Sequence, residues 1–207
     1  MEQKIIVLAS SNKHKIQEIG DMFSKNNATK NIIILSLKDV GFFDDIEETG
    51  KTFLENSLIK AKAIHEYLKS KNLNYMVLAD DSGLSVDSLD GAPGVYSARF
   101  AGEHGNNEAN RAKLLKELEN ISDRCAKFVC TLVLMQPSGE YISCVGETFG
   151  EITHKEFGNR EFCYDCLFYS NDLQKTFGES TEEEKNSVSH RGRAVQKLIK
   201  ELQKMSF

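Results

Sequence analysis

The sequence predicts an α/β fold built on a mixed sheet, and three observations predict it. Ile5–Ala9, Ile32–Leu35 and Tyr75–Ala79 are short unbroken apolar runs, as expected of strands covered on both faces. Helix-patterned stretches separate them, and alternation of strand with helix is the mark of an α/β protein. Further on, Lys127–Gln136 and Glu140–Gly150 read as two strands joined by the turn Pro137-Ser138-Gly139, which brings in an antiparallel part.

The helices follow from their spacing. Ile16, Ile19 and Phe23 recur at helical intervals after the first strand. Phe53, Ser57, Ala61, Ile64 and Leu68 do the same after the second, and Thr52 with Glu55 supplies a capping box. Asn106–Glu119 turns Ala109, Leu114, Leu115 and Leu118 to one side, and Gly192–Gln203 is helical through Val195, Leu198, Ile199 and Leu202. The polar stretch Glu179–Lys185 reads as a loop. No internal repeat or linker divides the chain, so residues 1–207 read as a single domain.

Composition narrows the function. The chain has 207 residues, 40% apolar and 28% charged, enough for a substantial core and unlike a disordered segment. A net charge of −5 argues against a nucleic-acid-binding surface. The five cysteines are odd in number, and a chain this long does not need disulfide staples, which points to a reducing compartment. The apolar run Ile5–Ala9 is too short for a signal peptide, and no run approaches a membrane span. The expectation is a soluble cytoplasmic protein.

Chemistry concentrates where apolar runs stop. Leu78-Ala79 leads into Asp80-Asp81-Ser82-Gly83, two adjacent carboxylates and then a turn-like pair. Desolvating an unpaired carboxylate is costly, so the expectation is a strand that delivers Asp80 and Asp81 to an open cleft. Two such acids suit Mg²⁺, which takes oxygen ligands from one or two carboxylates and the rest from phosphate and water. Glu47 and Glu48, in the charged stretch Asp45–Gly50, are further candidate ligands, or else part of a solvated loop. Between the first strand and first helix lie Ser10, Ser11, Asn12, Lys13, His14 and Lys15. Ser11 or Asn12 suits an N-cap, and cations in a helix's opening turn oppose the macrodipole unless an anion binds there. Ser187-Val188-Ser189-His190-Arg191 opens the last helix with the same anomaly, and Lys185 lies just upstream. Lys60 sits two turns into the capped helix and is either a substrate contact or a solvated lysine.

Other motifs carry less. Cys163-Tyr164-Asp165-Cys166 is a CxxC without a second pair at zinc spacing, and it lies within an aromatic run rather than opening a helix. Asp87-Ser-Leu-Asp90-Gly91 imitates a calcium loop, but Leu89 occupies a ligand position. No GxxxxGK[ST], GxSxG or HExxH occurs.

Taken together, these segments resemble the inosine triphosphate pyrophosphatases. Ser11-Asn12-x-x-Lys15-x-x-Glu18 resembles that family's opening phosphate loop. Glu47-Glu48-Thr49-Gly50-x-Thr52-Phe53-x-Glu55-Asn56-x-x-x-Lys60-Ala61 resembles its second block. Ala79-Asp80-Asp81-Ser82-Gly83-Leu84, with Gly91-Ala92-Pro93-Gly94-x-x-Ser97-Ala98-Arg99, resembles its signature. Glu184-Lys185-Asn186-x-x-Ser189-His190-Arg191 resembles its closing motif. One block departs: Arg160-Glu161-Phe162-Cys163-Tyr164-Asp165-Cys166-Leu167-Phe168 stands where the family has glycines and a proline around Phe, Tyr and Asp.

The resemblance implies a long mixed sheet with flanking helices, two lobes and an active-site cleft between them. It implies a Mg²⁺-dependent homodimer that cleaves ITP, dITP and XTP to monophosphate and pyrophosphate. Metal would be held by residues among Glu47, Glu48, Asp80 and Asp81, with Asp81 also acting on the attacking water. Lys15 and Lys60 would serve catalysis, and Lys185 would neutralise phosphate charge with them. Ser10, Ser11, Asn12, Lys13, His14 and Ser82 would line the substrate site. Phe162 or Tyr164 would stack on the base, beside Cys163, Asp165, His190 and Arg191. A related pyrophosphatase for other modified nucleotides is the alternative, its support being Cys163 and Cys166. A nucleotide binder without turnover and a thiol redox protein are the remaining readings.

Overall fold

The computed structural model describes residues 4–159 and 162–205. Seven strands form one mixed sheet in the order β2-β1-β3-β4-β5-β6-β7. They are β1 (Ile5–Leu8), β2 (Ile33–Leu35), β3 (Met76–Val86), β4 (Cys125–Met135), β5 (Tyr141–Ile152), β6 (Phe168–Ser170) and β7 (Lys175–Thr176). β1 pairs in parallel with β2 and β3, whereas β5, β6 and β7 pair antiparallel. The helices are α1 (Lys13–Lys25), α2 (Phe53–Ser70), α3 (Asn107–Glu117), α4 (Glu182–Val188) and α5 (His190–Lys204). The α/β class and the mixed sheet expected from sequence are therefore present, including the turn at Pro137–Gly139, where the Gln136 amide donates to the Glu140 carbonyl at 2.8 Å.

The chain divides into two compact units. The first comprises residues 1–81, 130–146 and 194–207. Its unbroken apolar strands are explained by burial on both sides. Even-numbered Ile6, Leu8, Met76, Leu78, Cys130, Leu132 and Leu134 pack with Ile19 and Phe23 of α1 and Val195, Leu198 and Leu202 of α5. Odd-numbered Val7, Ala9, Val77, Ala79, Val133 and Met135 pack with Ala61, Ile64 and Leu68 of α2. The two-residue period of a strand thus assigns each side chain to a helix layer.

The second unit comprises residues 82–129 and 147–193. Its core joins Leu84 and Val86 of β3, Leu114 of α3, Phe128 of β4, Ile152 of β5 and the segment Tyr164–Phe168 with Phe177. Ser97 ties the Gly-Ala-Pro-Gly segment to β3, since its hydroxyl accepts from the Leu84 amide at 2.9 Å and donates to the Gly94 carbonyl at 2.7 Å.

Two elements differ from expectation. β3 does not stop at the carboxylates but continues through Asp80-Asp81-Ser82-Gly83 to Val86. Within Glu179–Lys185, expected as loop, Thr181 and Glu184 form a capping box that starts α4. That Thr-x-x-Glu signal is local and overrides the polar composition.

Candidate active site

Asp80 and Asp81 are buried, at 1% and 5% exposure, rather than open to solvent as expected. Partners compensate the desolvation that sequence reasoning assigned to an open cleft. Strand parity sends the two acids to opposite faces. Asp80 shares the α1 side, where Lys15 Nζ lies 2.5 Å from its Oδ1 and Cys130 Sγ lies 3.2 Å from its Oδ2. Asp81 shares the α2 side, where Asn56 Nδ2 donates to Oδ2 at 3.0 Å and Lys60 Nζ lies 3.5 Å from Oδ1. Lys60 also reaches Glu48 Oε1 at 3.1 Å.

Glu48 and Asp81 therefore converge on one ammonium. Burial pushes the Asp81 carboxyl above the usual carboxylate range, against the pull of Lys60, Lys15 and the Asn56 amide. Glu47 is exposed on the preceding loop, so the four acids named from sequence are not one cluster. Among the described residues no group of three or more His, Cys, Asp and Glu side chains is placed to hold a metal.

The loop before α1 is capped from within. The Asn12 carboxamide accepts from the His14 and Lys15 amides at 3.0 and 3.2 Å, and the Ser10 hydroxyl accepts from the Asn12 amide at 3.2 Å. Asn12, not Ser11, is the cap. Two amides that a bare helix end would offer an anion are thus engaged, and the first turn contains no acid. Ser11, Lys13 and His14 are exposed, while Lys15 is half-buried.

The second unit gathers most of the remaining candidates. Lys185 Nζ lies 2.6 Å from Asp165 Oδ2 and 3.6 Å from the centre of the Phe162 ring. Arg191 donates to the Ser82 hydroxyl at 2.9 Å. His190 stacks on Phe128 at 4.8 Å. The Ser189 hydroxyl accepts from the Gly192 amide at 3.0 Å and so caps the start of α5. Tyr164 is committed to the core: it is 3% exposed, and its hydroxyl donates to the Ser97 carbonyl at 3.0 Å. Of the two aromatic candidates for the base, Phe162 is the half-buried one. Arg160 and Glu161, which begin the departing block, lie outside the described residues.

All five cysteines are thiols, Cys163 and Cys166 included. Burial pushes Cys163 up to about 12 and raises Cys166 as well, opposite to the depressed values of redox-active thiols. Two contacts of the site involve residues that are not among the candidates read from the sequence. Asn56 lies four residues before Lys60 on the same helix face, which helical spacing alone reveals. Cys130 meets Asp80 through pairing of distant strands, for which no local signal exists.

Comparison with known proteins agrees with this architecture. A model of the Ham1 family matches residues 6–201. A dITP/XTP pyrophosphatase of Clostridium perfringens is 50% identical over 198 residues, covering 94% of this chain and 95% of the relative. A dITP/XTP pyrophosphatase of Bacillus subtilis is 41% identical over 202 residues, covering 97% and 98%. The Staphylococcus aureus Ham1 protein superposes with a TM-score of 0.84 at 39% identity, covering 97% of this chain and 99% of that one. With the motif blocks present in order and the sheet and helices matching, the chain belongs to the Ham1 family.

Proposed function

We propose that this protein hydrolyses non-standard purine nucleoside triphosphates (ITP, dITP and XTP) to the nucleoside monophosphate and pyrophosphate, clearing deaminated purines from the nucleotide pool. The observation that carries the reading is the set Glu48–Lys60–Asp81, in which buried Lys60 and Asp81 meet a half-buried Glu48 and two carboxylates share one lysine, with Asp81 pushed up by burial. The names of the relatives support the substrate class.

Lys15 and Lys60 act as the phosphate-binding cations. Each is held against a carboxylate in the substrate-free protein, so its position is set before substrate arrives. Such preorganised charge in a partly desolvated site is worth more than the same charge in water. Asp81 orients the attacking water and accepts its proton as the new P–O bond forms. The bridging oxygen between the α- and β-phosphates keeps the electron pair of the broken bond and leaves as pyrophosphate. A carboxylate with a raised pKa is a better proton acceptor than a surface aspartate, and positioned base catalysis is worth about 10²–10⁴-fold.

Glu48 and Asp81 suit Mg²⁺, because they are hard oxygen donors that already meet at one cation. When bound, the ion offsets phosphate charge and aligns the reacting groups. Asp80, on the opposite sheet face, serves Lys15 instead. In the second unit Phe162 supplies a stacking surface for the base, with Lys185 and Asp165 beside it. Arg191 donates to the 6-oxo group that inosine and xanthine carry and adenine lacks. We read the protein as a cytoplasmic homodimer, and analytical ultracentrifugation tests the dimer.

The test of function is pyrophosphate release with Mg²⁺ from ITP, XTP, GTP, ATP and dUTP, with Asp81→Asn as control. Asp81-dependent cleavage of ITP and XTP, with ATP and GTP spared, is the expected result. Cleavage of dUTP in preference to ITP would instead favour a pyrophosphatase for other modified nucleotides.

A further inference from the structure

Asn56 is fully buried near the start of α2, and its side chain makes two hydrogen bonds in opposite directions. Its Oδ1 accepts from the Gly50 amide at 2.8 Å, and its Nδ2 donates to Asp81 Oδ2 at 3.0 Å. The orientation of the carboxamide is fixed by its partners, since only oxygen can meet an N–H and only the NH₂ can meet a carboxylate. One side chain thus connects β3 to the loop that carries Glu48. The fit on the loop side is close. A Cβ on Gly50 would lie 2.6 Å from Asn56 Oδ1, 2.7 Å from Glu55 Cβ and 2.9 Å from the Asn56 backbone nitrogen. Two of those three atoms belong to the helix backbone or the base of a side chain and cannot swing aside.

Glu48 lies on this loop two residues before Gly50, while Asp81 is on a strand in the sheet. Nothing in local sequence sets the distance between two acids so far apart in the chain. We propose that Asn56 is a positioning residue that holds the Gly50 loop against Asp81 and so fixes the spacing of the Glu48 and Asp81 carboxylates for Mg²⁺. Hydrogen-bond partners of ligating carboxylates orient them, and loss of such a partner costs about 10–100-fold in metal affinity or activity. The inference rests on the reading of Glu48 and Asp81 as the metal-binding pair.

The experiment compares wild type, Asn56→Ala and Gly50→Ala. Asn56→Ala removes both hydrogen bonds. Gly50→Ala pushes on the same contact from the loop side while leaving the Asn56 side chain in place, so it decides the matter if Asn56→Ala does not fold. Two readouts are taken: the Mg²⁺ concentration for half-maximal ITP hydrolysis, and calorimetric titration of Mg²⁺ with pyrophosphate. The expected result is a half-maximal Mg²⁺ concentration raised about tenfold or more in folded variants, with kcat largely recovered at saturating Mg²⁺ and a matching loss of magnesium pyrophosphate affinity. A folded variant that keeps the wild-type Mg²⁺ requirement and pyrophosphate affinity overturns the inference. So does one that loses kcat while its Mg²⁺ dependence stays unchanged. Wild type that fails to release pyrophosphate from any triphosphate sinks the underlying reading, an outcome distinct from both.

Discussion

The Cys130 thiol lies 3.2 Å from Asp80 Oδ2, on the carboxylate whose other oxygen holds the Lys15 ammonium. Asp80 is shut away from solvent, so its affinity for Lys15 depends on what else satisfies it. Cys130→Ala takes a donor from a buried charge, a change that costs about 1–3 kcal/mol. We expect urea denaturation to show a loss of that size, and the KM for ITP to rise severalfold as Lys15 loses its fixed position. Cys130→Ser keeps a donor and should restore KM. Equal KM values in the alanine, serine and wild-type proteins would show that the thiol does not act on Lys15.

In the proposed mechanism Asp81 trades stability for chemistry. Its folded-state pKa is raised, with burial the dominant cause. A raised pKa means that folding favours the neutral carboxyl over the charged one, relative to the unfolded chain. The associated stability is fully present below the ordinary value of 3.8 and is lost as pH rises through the elevated folded value. At pH 8 the charged, buried form is therefore a net cost. Asp81→Asn removes that charge and leaves Lys60 its contact with Glu48. The substrate-free variant is expected to melt at or above the wild-type temperature at pH 8, while its turnover falls by at least about 10²-fold. The melting-point difference should shrink as pH is lowered toward 4. A variant that melts well below wild type at pH 8 contradicts the assigned cause of the shift.

The legible parts of this chain are those with a local period. Apolar runs announced β1 and β2, and Thr52 with Glu55 announced the start of α2 to the residue. The motif residues Glu48, Lys60 and Asp81 proved to be neighbours, and Lys15 proved to be the partner of Asp80 in the same unit. What sequence could not give was how Asp80 and Asp81 divide their work. Adjacent in the chain, they read as one pair of metal ligands. Strand alternation assigns them to different helices, and that becomes visible only once β3 is seen to run straight through them. Burial of both acids was missed for a related reason, since the compensating cations come from α1 and α2, far away in sequence. Tyr164 read as a stacking residue because aromatic type is local information, while its commitment to the core depends on Ser97.

Thiol chemistry separates the five cysteines. Cys125 is exposed, Cys130, Cys144 and Cys166 are buried, and Cys163 is pushed up to about 12. At pH 8 such a thiol is ionised to about one part in 10⁴, and the thiolate is the reactive form. Alkylation of the native protein followed by peptide mass mapping should label Cys125 first and leave Cys163 and Cys166 unmodified. Mild oxidants should not lower the mass by the two hydrogens of a Cys163–Cys166 disulfide, and reductant should not change ITP hydrolysis. Rapid, reversible formation of that disulfide with loss of turnover would revive a redox role for the pair.

The proposed selection of the base rests on Arg191, a residue only 2% exposed whose guanidinium donates to Ser82 Oγ at 2.9 Å. Ser82 directly follows Asp81 in β3, so the same strand carries the proposed base and the residue that orients the arginine. A donor fixed in this way rewards a 6-oxo purine and leaves the 6-amine of adenine facing another donor, which is how polar sites reach large discrimination. A hydrogen bond involving a charged group is worth about 1.5–3 kcal/mol, roughly 10–100-fold in rate or affinity. Arg191→Ala should therefore reduce kcat/KM for ITP by that factor while leaving the slow ATP reaction nearly unchanged, so that the ITP-to-ATP ratio collapses. Ser82→Ala, which keeps the guanidinium but frees its orientation, should lie between the two. Should Arg191→Ala slow ITP and ATP equally, the arginine serves the phosphates they share, and selection of the base falls to Phe162, Lys185 and Asp165.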